Sequence, residues 1–84
     1  EWYTAIPGPE VKDIRSAISL NDRVMFITTL FRDDSMLFQD VVSKVNAMTS
    51  LDKVADSLTS TFPVWDMYSD MVYRFMMAVR RKLR

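Results

Sequence analysis

The sequence predicts an all-α fold: a compact bundle of four to five short helices. Three observations point there. Apolar residues recur at the three-to-four spacing of one helix face in successive windows. Those windows are separated by short stretches rich in Ser, Asp and Asn, the residue types that cap helix starts. There is a single glycine and there are only three prolines, all outside the windows. At 84 residues the chain holds one domain, near the size at which a single core is marginal.

Residues 1–10, "EWYTAIPGPE", read as an extended lead-in or linker, because Pro7 and Pro9 flank Gly8. Trp2, Tyr3 and Ile6 either dock on the domain or belong to something upstream. Residues 11–84 form the domain. Val11, Ile14, Ala17 and Ile18 fit a short first helix over 10–18. Ser19, Asn21 and Asp22 then offer capping oxygens. In the next window Leu20, Val24, Ile27, Thr28 and Phe31 share one face and are expected to be buried. The β-branched residues there also suit a strand, and the helical spacing decides against it.

"RDDS" breaks the chain, with Asp33, Asp34 and Ser35 as candidate caps. Phe38, Val41, Val42 and Val45 form the next apolar stripe. Ser50 caps a helix with Leu51, Val54, Ala55, Leu58 and Phe62 in register, and Pro63 ends it. Asp66 or Ser69 caps the last helix. Stepping about 100° per residue from Tyr68 places Val72, Phe75, Val79 and Leu83 on its buried side, with Met76 at the edge. Tyr73 and Met77 fall on the back.

Composition narrows the function. The chain has no cysteine and no histidine, so thiolate and imidazole chemistry are absent. A metal site would rest on carboxylates alone, which zinc rarely accepts. One glycine cannot build a phosphate-cradling loop. The longest apolar runs fall far short of the roughly 20 residues that span a bilayer. Asp33–Asp34 read as caps, and Asp52–Asp56 as a solvated face beside Lys53. No serine has a base to activate it. The expectation is therefore a non-enzyme, with no catalytic, metal or cofactor-binding residue.

Charge is uneven. Residues 74–84 hold five bases and no acid, which leaves six bases against eleven acids in residues 1–73. The back of the last helix gathers Tyr73, Met77, Arg80 and Arg81, an aromatic and a methionine beside arginines. That composition suits an interface core, although methionine is often core filler and basic residues suit a helix C-terminus. The expected role is a protein-interaction or self-association module, contacting a second copy or another protein through these four residues. A nucleic-acid-binding accessory domain using the basic tail and a purely structural domain are the alternatives. Asp52 and Asp56 would repel phosphate and disfavour nucleic acid. A membrane role is disfavoured because the apolar face is committed to the core.

The strings "DIRSAISLNDRVMFITTLF", "KVNAMTSLDKV" and "FPVWD" resemble a family of uncharacterised bacterial proteins that end in a small helical domain. That domain opens on an "SLNDRF…ELF"-like motif, and the likeness covers roughly residues 11–84. It falls on Leu20, Asn21, Asp22, Arg23, Leu30, Phe31 and Asp66. It implies a fold and a C-terminal position in a longer protein, but no activity or cofactor. The chain departs from the pattern at Val24, where the family looks aromatic. It departs again at Arg32–Asp33, where glycine often follows "LF", and at Tyr73 and Met77, where charge is expected. In "NDR", capping by Asn21 or Asp22 is the expected role.

Overall fold

The computed structural model describes every residue, Glu1–Arg84. It contains a 3-10 turn at Ile14–Ala17, then α1 (Leu20–Leu30), α2 (Ser35–Asn46), α3 (Leu51–Thr61) and α4 (Asp70–Leu83), with no strand. The helix α4 is the hub: the 3-10 turn and the other three helices all pack against it.

Each helix begins on a side chain that accepts a backbone N–H otherwise left open. Ser19, Asp34, Ser50 and Ser69 accept from the amides of Asp22, Leu37, Lys53 and Val72. The cap of α1 is thus Ser19, not Asn21 or Asp22. Asp22 sits in the first turn, where its carboxylate also meets the Arg74 guanidinium of α4 at 3.1 Å.

The core is wholly apolar, with no buried polar or charged side chain. Phe31 is its centre. The rings of Phe38, Phe62 and Trp65 meet it edge-on at centroid distances of 5.4–5.5 Å. Phe26 and Phe75 join α1 to α4 in the same geometry at 5.4 Å. Such edge-to-face contacts add to the gain from burial.

Three expectations are corrected. The 10–18 helix is only a 3-10 turn, because side chains outcompete helical bonds there. The Asp13 carboxylate takes the Arg15 amide, and Asn46 Oδ1 takes the Ile14 amide at 2.9 Å. In α1 the buried positions are Phe26 and Leu30, followed by Phe31, while Leu20, Val24 and Thr28 are exposed and Ile27 is half-buried. This helix is weakly amphipathic, so its apolar residues fit two faces, and the Phe26–Phe75 contact selects one. Tyr68 is not on the buried side of α4. It precedes the helix, its amide is bonded to Asp66 Oδ1, and 70% of it is exposed.

Candidate interaction surfaces

The back of α4 holds Tyr73 and Met77 where the spacing places them. Tyr73 is 38% exposed and Met77 half-buried. Met76, by contrast, is fully buried. The two arginines have other work. Arg80 Nη1 donates to the carbonyls of Trp2, at 2.8 Å, and Ala5. Arg81 Nε donates to the Pro9 carbonyl at 2.8 Å, and its own carbonyl accepts from the Val11 amide at 3.1 Å. Arg84 donates to the carbonyls of Pro7 and Gly8. The basic end of α4 therefore holds residues 2–11 against the bundle through main-chain oxygens. Trp2 docks: it is half-buried, and its indole N–H donates to the Met67 carbonyl at 2.7 Å. Tyr3 and Ile6 face outward.

The acidic residues make no cluster. No three Asp or Glu side chains gather in a group that could hold a metal ion. Asp34 caps α2, and Asp52 lies in the first turn of α3, where a negative charge suits the helix dipole. The Asp13 carboxyl is held below the ordinary carboxylate range. The Arg15 amide bonded to its carboxylate lowers it, the Arg15 guanidinium adds to this, and Lys82 contributes. That is the signature of a cap, not of an acid–base catalyst, which needs a desolvated carboxyl.

Besides a small groove of about 110 Å³ between α2 and α3, two larger ones open on the surface. One, of about 630 Å³, lies beside the α1–α2 turn, over Phe31, Phe62 and Trp65, with Arg32, Asp34 and Asp66 also lining it. It joins "LF" at 30–31 to "FPVWD" at 62–66, strings far apart in sequence. Trp65 locks them by donating its indole N–H to the Leu30 carbonyl at 3.0 Å. Its rings belong to the core cluster, so this groove is largely the outer skin of the fold.

The other groove, of about 420 Å³, lies between the start of α1 and the middle of α2. Ile18, Phe38 and Val42 give it an apolar floor, and Leu20 stands on its rim with 79% of its surface exposed. Val24, 57% exposed, follows one turn later on the same side of α1. Two guanidinium groups border the floor. Arg15 is engaged, donating to both Asp13 oxygens and to Ser43 Oγ at 2.7 Å. Arg23 lies over the Phe38 ring, 5.7 Å from its centroid, and makes no ion pair. Sequence reasoning assigned Leu20 and Val24 to the core and Arg23 to a capping motif, and so missed this site. The available signal was that α1 carries two apolar faces and can bury only one.

A family model for a domain of unknown function, DUF8457, matches residues 15–84. The chain belongs to the DUF8457 family. Both grooves and all of α4 lie within the matched span of the DUF8457 domain, whereas the strapped segment before residue 15 lies outside it. The family description carries no activity. No curated protein and no solved structure matches the chain.

Proposed function

We propose that this DUF8457 chain is a non-enzymatic protein-interaction module that docks its partner on the α1–α2 face. One observation carries the reading. The apolar floor of Ile18, Phe38 and Val42 runs out onto Leu20 and Val24, two large apolar side chains that the fold leaves in water. Exposed apolar side chains beside a concave apolar floor mark partner sites, and the adjoining arginine fits interface composition. The solvated, scattered carboxylates support the non-enzymatic part. The same reading takes the "SLNDR" opening as the family's mark and bacteria as its source, on the resemblance alone.

Selecting displayed peptides against the folded chain and mapping their footprint by amide chemical shifts tests it. The footprint should fall on Leu20, Arg23, Val24 and Phe38. Replacing Leu20 and Val24 with serine should remove it while changing stability by no more than about 0.5 kcal/mol per site, as at ordinary surfaces. A footprint elsewhere, or binding that survives both substitutions, defeats this placement.

Self-association through the back of α4 is the second reading, favoured by the exposure of Tyr73 beside half-buried Met77. Here Arg80 and Arg81 act indirectly, by fixing the N-terminal segment along the same helix. Light scattering over a range of concentrations decides it: a dimer that Met77→Glu splits supports the surface, and a monomer throughout removes it. Nucleic-acid binding by the basic tail is less supported, because Arg80, Arg81 and Arg84 already donate to carbonyls.

A further inference from the structure

We infer that the partner segment is an acidic amphipathic helix, selected by the guanidinium of Arg23. The inference rests on the docking surface proposed above and adds the chemistry of its occupant. Its basis is the way the arginines of this chain are spent. Arg15 and Arg74 are paired with carboxylates, and Arg80, Arg81 and Arg84 with carbonyls. Arg23 and Arg32 make no side-chain hydrogen bond or ion pair within the chain. Their surroundings separate them. Arg32 shares its groove with Asp34 and Asp66, which offset its charge. No acidic side chain lines the groove of Arg23.

The consequence is a cation at the rim of an apolar floor. The Phe38 face holds one side of the guanidinium, which leaves its edge N–H groups free to donate. A carboxylate can accept two parallel bonds from such a fork, and a lysine ammonium would be repelled. Shape then selects a helix over a small molecule. A groove of about 420 Å³ is in the range that small ligands fill. A ligand confined to it would leave Val24, one turn beyond the rim, in water. A helix laid along α1 covers Leu20, the floor and Val24 with side chains at i, i+3 or i+4, and i+7.

The probe is a stapled helical peptide of roughly 15 residues, long enough for the staple to hold it helical. It carries leucines along one face and glutamates beside them, and its twin replaces every glutamate with lysine. Each is titrated into the isotope-labelled chain and into Arg23→Glu. The acidic peptide should shift the amides of Leu20, Arg23, Gln39 and Ser43. It should bind at least tenfold tighter than its twin, with a preference that shrinks as salt is added and inverts in Arg23→Glu. Arg23→Gln, which removes charge without reversing it, should abolish the preference and serves if the glutamate variant does not fold. Equal binding of both twins in the groove overturns the acidic specificity and leaves the docking surface standing. Binding by neither, or shifts confined to other faces, overturns both.

Discussion

At the scale of single residues, the most unusual positions are Arg32 and Asp33, both with left-handed backbone, at φ of 51° and 64°. They close α1 in a turn wider than α. The Phe31 amide reaches the Phe26 carbonyl, and the Asp33 amide reaches that of Ile27 at 2.9 Å. Aspartate tolerates this conformation better than arginine does, because its short side chain can bond locally. Arginine bears the full cost of a Cβ there, roughly 1–2 kcal/mol. Glycine has no such cost but gains freedom in the unfolded chain. Arg32→Gly should therefore raise stability by about 0.5–1 kcal/mol, read as a shift in urea midpoint at constant slope. A loss instead would mean that the Arg32 side chain is held by contacts stronger than the strain.

At the scale of elements, α4 organises the bundle, and Phe75 is its keystone. The ring is fully buried and touches the rings of Phe26, Phe31 and Trp65, so one side chain joins three segments. Phe75→Ala should cost about 3–5 kcal/mol, because a cavity at such a junction cannot collapse from one side. Chemical denaturation gives the value. A cost under about 1 kcal/mol, typical of surface sites, would show that α4 packs on another face. The register of α4 was readable because Val72, Phe75, Val79 and Leu83 gather on one side while Asp70, Arg74, Arg81 and Arg84 gather on the other. The register of α1 was not, because "LNDRVMFITTL" offers Leu20 and Val24 on one side and Phe26 and Leu30 on the other.

At the scale of the whole molecule, the two ends of the chain meet. Three arginines near the C-terminus fasten the first eleven residues by donating to main-chain carbonyls. The arginine bonds reach only main-chain oxygens, but two residues of the segment matter by type: Trp2 adds its indole bond to the Met67 carbonyl, and a Cβ at Gly8 would stand 3.3 Å from Arg81 Nε. Arg80→Ala removes the bonds to Trp2 and Ala5. Amide exchange over residues 2–6 should then speed up at least tenfold, while the amides of α2 and α3 keep their protection, since local opening and global unfolding are separate events. Equal acceleration everywhere would instead make this segment part of the cooperative core.

The sequence alone determined the all-α class, the breaks between helices, the cap at Ser50, short sets of candidates that contain the caps Asp34 and Ser69, and the main apolar stripes of α2, α3 and α4, while it set Tyr68 on the buried side, left Met76 at the edge and passed over Ala78. These are local matters: a capping oxygen acts within three residues, and a strongly amphipathic helix has one face to hide. Tertiary structure decided the rest. Which side of α1 is buried depended on a phenylalanine 49 positions away, at Phe75. Whether the basic tail was free depended on carbonyls at the opposite end of the chain. The α1–α2 groove exists only because Leu20 and Val24 lost that competition for the core while Arg23 came to rest on Phe38. Contacts of this kind join groups with no neighbourhood in sequence, and no periodicity along the chain encodes them.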